Sequence, residues 1–132
     1  MQYEPTLSRE ELIDLAVHKY FANVDAKNLD AVLDCFHDEA LFCVQTDFTR
    51  HSGKGQLKRM FTDFMSEWTN IVHKDFVCTV DEKNGRITAS FEAVLTAQDG
   101  TVNQLFNTNF WRVREGRFQE VYVYMSGANP LV

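Results

Sequence analysis

Residues 86–125, RITASFEAVLTAQDGTVNQLFNTNFWRVREGRFQEVYVYM, decide the fold of this chain. They form three alternating runs joined at Asp99-Gly100 and Glu115-Gly116, and a fourth run, IVHKDFVCTV, leads in through Asn84-Gly85. A glycine after an acidic or amide residue, set between alternating runs, is a strong hairpin signal because both turn positions tolerate positive φ. The pattern predicts a four-stranded antiparallel meander, twisted and curved as long sheets must be. Successive side chains point to opposite faces. One predicted face carries Phe91, Ala93, Leu95 and Ala97, then Phe106, Thr108, Phe110 and Arg112, then Tyr122 and Tyr124. The other carries Ser90, Glu92, Val94 and Thr96, then Leu105, Asn107, Asn109 and Trp111, then Val121, Val123 and Met125. Neither is the lysine-rich surface of a sheet open to water, so both need cover. Helices can cover one face, and a second copy of the chain is the natural cover for the other.

The helices lie upstream. Ser8-Arg9-Glu10-Glu11 is a capping box, and the helix it opens carries Leu12, Ile13, Ala16, Val17, Tyr20, Phe21 and Val24 at helical spacing. Asp25 to Asn28 interrupts that pattern, and Asn28 can cap a short second helix bearing Leu29, Val32, Leu33 and Phe36. His37-Asp38-Glu39 ends it, ALFCVQ reads as a buried strand, and TDFTRHSGKG reads as an irregular polar loop. A third helix carries Leu57, Met60, Phe61, Phe64, Met65 and Trp68 on one stripe. Helices first and a long sheet last make an α+β fold, here a single domain over residues 1–132. Three helices on a strongly curved antiparallel sheet enclose a cone, and such cavities are default ligand sites.

Composition narrows the partners. The net charge is −6 with eleven phenylalanines, and the isoelectric point is near 5.1. An acidic chain without a basic run lacks the footprint for nucleic acid or an anionic membrane. The N-terminal MQYEPTLSREEL has neither the charge nor the apolar core of a targeting peptide, and no apolar run reaches spanning length. Cys35, Cys43 and Cys78 are odd in number and lack metal-like spacing, which suits a reducing, cytoplasmic setting. No cofactor motif and no metal-ligand spacing occur, so neither is expected.

The run KYFANVDAKNLDAVLDCFHDEALF, the GKGQLKRMF opening of the third helix and the closing WRVREGRFQEVYVYMSGAN resemble the nuclear transport factor 2-like superfamily. That superfamily includes ketosteroid isomerases and SnoaL-like polyketide cyclases, and the likeness spans almost the whole chain. It implies a cone-shaped roll around three N-terminal helices, commonly dimeric through the outer sheet face. Laid alongside ketosteroid isomerase, the oxyanion-hole Tyr falls on Tyr20 and its protonated Asp partner on Asn109. The general base falls on Val44, and the tyrosines that support the catalytic Tyr fall on Phe36 and Phe61. The resemblance therefore implies the fold and the cavity while excluding steroid isomerisation.

Within the cone, the face assignment makes Glu92 the acid/base beside Asn107 and Asn109. The alternatives for Glu92 are a structural carboxyl bonded to Asn107, Asn109 or Tyr20, or a one-residue bulge that turns it to solvent. Tyr20 and Asn109 would stabilise an enolate-like oxygen, and Asn107 would position the ligand. Trp111, Val44, Phe42 and Phe61 are expected to line the pocket, with Phe64, His73 and Val123. His73 and His51 each offer a possible base at the mouth. Phe91, Phe106, Phe110, Tyr122 and Tyr124 form the expected homodimer patch. The reading is a cofactor-independent isomerase, cyclase or dehydratase acting on a small carbonyl compound. A non-catalytic binder with the same pocket is one alternative, and an accessory subunit of a dioxygenase-type complex is another.

Overall fold

The structure is a computed structural model that describes residues 5–132; the first four residues of the N-terminal stretch assessed for targeting signals lie outside it. The Ser8 hydroxyl accepts from the Glu11 amide at 3.2 Å, and the Glu11 carboxylate accepts from the Ser8 amide at 3.0 Å. That box starts helix α1, which runs through Arg9–Ile13, a π-wound Asp14–Phe21 and Ala22–Asp25. Lys27, at φ 57°, turns the chain out of the helix. Asn28 then caps α2, Leu29–Leu33, by accepting from the Ala31 amide. Strands β1, Phe36–Val44, and β2, Thr49–Ser52, precede helix α3, Gly53–Glu67. The meander follows as β3, Trp68–Asp81, β4, Arg86–Ala97, β5, Val102–Arg114, and β6, Arg117–Tyr124.

The six strands form one sheet in the order β2-β1-β6-β5-β4-β3. The expected antiparallel meander is there, and two features extend it. The stretch read as an irregular loop supplies β2, which pairs with β1 through Phe42 and His51. Strand β1 in turn lies parallel to β6, with Phe42 opposite Val121 and Val44 opposite Val123. The sheet is therefore mixed rather than wholly antiparallel. The helices cover its inner face, where Tyr20, Phe36, Phe42, Phe61, Trp111 and Phe118 form an aromatic core.

The two faces of β4 are the reverse of those expected. Phe91 pairs with Asn107 and Glu92 with Phe106, so Ile87, Ala89, Phe91, Ala93 and Leu95 point inward. The cause is one residue of turn. The sequence reading joins β4 to β5 through Asp99-Gly100 alone, whereas the loop has three residues, Gln98, Asp99 and Gly100. It is closed by the Ala97 amide on the Thr101 carbonyl at 2.8 Å and the Gly100 amide on the Ala97 carbonyl at 3.0 Å. Gly100, at φ 87°, occupies the left-handed position of such a loop. A one-residue change of register exchanges every side chain between faces. The β5–β6 turn does have two residues, Glu115 and Gly116 at φ 51° and 78°. The register then shifts by one residue between the Val113–Phe118 and Arg112–Glu120 pairs, and beyond that shift Asn109 pairs with Val123 and Trp111 with Val121, as expected.

Phe91 consequently leaves the expected dimer patch and becomes core at 6 % exposure. On the outer face, Phe106, Phe110 and Tyr124 stay 60, 44 and 50 % exposed, and the rings of Phe110 and Tyr124 meet edge to face at 5.8 Å. Tyr122 lies on the same face, where its hydroxyl donates to Glu120.

Candidate functional site

Four polar side chains reach one cavity in the cone: Tyr20 from α1, His73 from β3, and Asn107 and Asn109 from β5. The walls are aromatic, with Phe21, Phe42, Phe61, Phe64 and Phe91, and Val24 and Val123 complete them. Met125, just past β6, and Leu131, in the C-terminal tail, border the same space. The cavity measures about 30 Å³, counted as the space open to the centre of a water molecule.

His73 is the best-held of the four. Its Nδ1–H donates to Asp25 Oδ1 at 2.5 Å, and its backbone N–H donates to Asp25 Oδ2 at 2.9 Å. Strand β3 is an edge of the sheet, so this backbone N–H needs a partner from outside the sheet. Asp25, the last residue of α1, supplies it and fixes the imidazole at the same time. With Nδ1 engaged, Nε2 is left as the lone-pair nitrogen of a ring that lines the cavity. The ring rests on Phe21, centroids 4.5 Å apart, and on Phe91 at 5.5 Å.

Tyr20 is buried, and its ring packs edge-on against Phe36 at 5.7 Å, Phe118 at 5.5 Å and Phe61 at 6.1 Å. Its hydroxyl has no hydrogen-bond partner among the described residues. Burial first, then the electrostatic influence of Cys35 and Asp25, pushes its phenol above the ordinary tyrosine range. It therefore stays a neutral donor at physiological pH.

Other expected site residues go elsewhere. Glu92 projects from the outer face and accepts a hydrogen bond from Gln104, far from the cone's interior. Its expected place beside Asn107 and Asn109 is corrected by the three-residue turn. Trp111 is buried next to the site rather than on the cavity, stacked on Phe118 at 5.5 Å, and Val44 is likewise buried outside it. His51 is buried and latches the tail: its Nε2–H donates to the Leu131 carbonyl at 2.9 Å while Arg59 donates to its Nδ1 at 3.4 Å. Arg59 also holds the Val132 carbonyl at 3.2 Å, and Asn129 bonds Asp47. Among the described residues no three His, Cys, Asp or Glu side chains cluster to hold a metal. No described helix is long and apolar enough to cross a membrane.

Asp25 is the residue the sequence reading misses. A polar residue at the end of an apolar stripe reads as a helix stop. The available signal is its position four residues after Phe21, where a carboxylate continues the buried face of α1.

The family profile for the SnoaL-like domain matches residues 17–121. The chain belongs to the SnoaL-like family. Solved structures share the fold of this SnoaL-like chain at low sequence identity. A candidate polyketide cyclase from Xanthomonas campestris superposes with a TM-score of 0.79 at 18 % identity, over 88 % of this chain and 90 % of its own. A Catenulispora acidiphila protein with a ketosteroid isomerase-like fold, in complex with trimethylamine, gives 0.74 at 12 %, over 89 % and 86 %. An LEH-like epoxide hydrolase from M. tuberculosis gives 0.76 at 14 %, over 89 % and 84 %. No curated protein matches this SnoaL-like chain in sequence. Family and cavity together make it a small-molecule-binding protein of the nuclear transport factor 2-like superfamily.

Proposed function

We propose that this SnoaL-like protein is a cofactor-independent acid–base enzyme of the isomerase, cyclase or dehydratase type, acting on a small carbonyl compound. The observation that carries the reading is the Asp25–His73 pair at the wall of an aromatic cavity, with hydrogen-bond donors across from it. Nε2 of His73 takes a proton from the carbon beside the substrate carbonyl, and Asp25 stabilises the imidazolium that forms. The electron pair moves to the carbonyl oxygen, and the Tyr20 hydroxyl and an amide N–H of Asn109 stabilise the enolate charge there. The imidazolium then returns its proton. Delivery to another carbon isomerises the substrate, delivery to a departing β-hydroxyl releases water, and attack of the enolate on a second carbonyl closes a ring. Asn109 replaces the protonated acid of the resembled isomerases as donor and needs no pKa shift to act.

Deuterium uptake at the α-carbon of cyclohexenone in D2O, followed by proton NMR, tests this reading. The wild-type protein is expected to accelerate exchange, and His73→Gln to lower the rate on the order of 10²–10⁴-fold. No acceleration by the wild type over buffer, across a panel of small ketones, would return the site to the non-catalytic binder.

The exposed outer-face aromatics support a homodimer in the same reading. Phe106, Phe110, Tyr122 and Tyr124 lie together on a sheet face that the chain's own helices do not cover, and a contiguous apolar face of this kind is uncommon on a monomer.

A further inference from the structure

The amide oxygens of Asn107 and Asn109 are buried and have no hydrogen-bond partner among the described residues. The two residues are only 7 % and 3 % exposed. They stand two apart on β5, so both point to the same side of the sheet, into the cavity that Tyr20 and His73 share. Their neighbours across the sheet are Phe91, Ala89 and Val123, none of which can donate from its side chain. Two unmatched buried acceptors side by side are costly to a fold.

The same cavity lacks positive charge. No lysine or arginine borders it among the described residues. The charged group closest to hand is Asp25, behind His73. An anion buried here would meet no counter-charge and would lie near a carboxylate. The walls offer flat aromatic surface from Phe21, Phe42, Phe61 and Phe91.

We propose that Asn107 selects the substrate: an uncharged cyclic carbonyl compound bearing a hydroxyl, which the Asn107 amide binds while the neighbouring Asn109 amide holds the carbonyl oxygen. A hydroxyl donates and accepts at once, so it satisfies an amide in either orientation, whereas a carboxylate offers no donor and adds a charge. This assignment rests on the cavity identified above as the active site and names what enters it. In the closed cavity of about 30 Å³ there is no room for a ring, so entry requires the wall at Met125 and Leu131 to move aside. Those two are the lining residues outside the helices and strands.

Three matched probes test the selection: 4-hydroxycyclohexanone, cyclohexanone and 4-oxocyclohexanecarboxylate, each titrated against the full chain and followed by ligand-observed NMR. The wild type is expected to bind the hydroxyketone about tenfold more tightly than either other probe. Asn107→Leu is expected to bind cyclohexanone as before and to lose the preference, with a melting temperature unchanged or raised, whereas Asn109→Leu, which removes a donor to the carbonyl oxygen, is expected to weaken binding of all three probes. Equal binding of the carboxylate, no wild-type binding of any probe, or a preference that survives Asn107→Leu would overturn the assignment. The three-probe comparison on the wild type stands even where a variant fails to fold. His73→Gln separates this inference from the proton-transfer reading. The hydroxyl preference should survive that substitution while exchange is lost. A preference without exchange in the wild type sinks only the chemistry, and exchange without preference sinks only the selection.

Discussion

Asp25 and His73 lie 48 positions apart in the chain and meet through two hydrogen bonds, one to the ring and one to the backbone. Asp25→Asn keeps the shape and removes the charge that would stabilise an imidazolium. It is expected to slow α-proton exchange by about 10²-fold or more, whereas Glu92→Gln should leave exchange unchanged and alter stability by no more than about 0.5 kcal/mol. Running both variants in one NMR assay discriminates the two carboxylates directly. Tyr20 and Cys35 give a pH prediction. Burial raises the Tyr20 phenol and pushes the Cys35 thiol up to about 11. Both groups are neutral in the fold over a range where the unfolded chain has begun to ionise, so folding stability is full below their ordinary values and falls as pH rises past them. Urea unfolding should show a decline from about pH 9 upward, and Tyr20→Phe should flatten its upper part. At this scale the sequence was a partial guide. Tyr20 and Asn109 could be placed from the alternation and the resemblance. Asp25 could not, because whether a helix-end carboxylate faces water or a distant edge strand depends on the tertiary arrangement.

Among the elements, the stripes of α1 and α3 were legible because apolar residues three and four apart admit one buried side. The shared face of β5 and β6 was legible from the alternation within each run, although the two-residue turn at Glu115-Gly116 gives that pairing only with the one-residue register shift after Arg112. The pairing of β4 with β5 was not, because Asp99-Gly100 serves a two-residue or a three-residue turn equally well, and the two differ in which face each side chain takes. The alternation of β4 itself points the observed way, with Ile87, Ala89, Phe91, Ala93 and Leu95 on one face and Val94 the one apolar residue on the other, so the turn was the misleading signal. Deleting Gln98 tests the point. The shorter turn would force β4 to bury Glu92 and Ser90 in place of Phe91 and Ala89, and a loss of several kcal/mol is expected. Urea unfolding of the deletion variant is the measurement, and a stability within about 1 kcal/mol of the parent would contradict the register argument.

At the level of the whole molecule, the cone and its three helices followed from the order of patterns along the chain, while β2 and the parallel pairing of β1 with β6 did not. The TRHS segment has no apolar alternation, and parallel neighbours leave no turn signal between them. The open question at this scale is assembly. Light scattering during size-exclusion chromatography is expected to give twice the 15.3 kDa chain mass. Phe106→Glu combined with Phe110→Lys should halve that value without lowering α-proton exchange in proportion. A wild type that elutes as a monomer at micromolar concentration would remove the dimer from the proposal.

Because β6 sits between β1 and β5, the earliest strand of the chain has only the short β2 for company until the last strand is made. A nascent polypeptide that has emerged only through β5 has one long side of β1 bare of its strand neighbour, while Phe36 and Phe42 already have the helical rings of Tyr20 and Phe61 to pack on. Synthesis and folding are therefore out of step by design of the topology. Until β6 joins, that bare side is an open strand edge able to pair with a neighbouring chain.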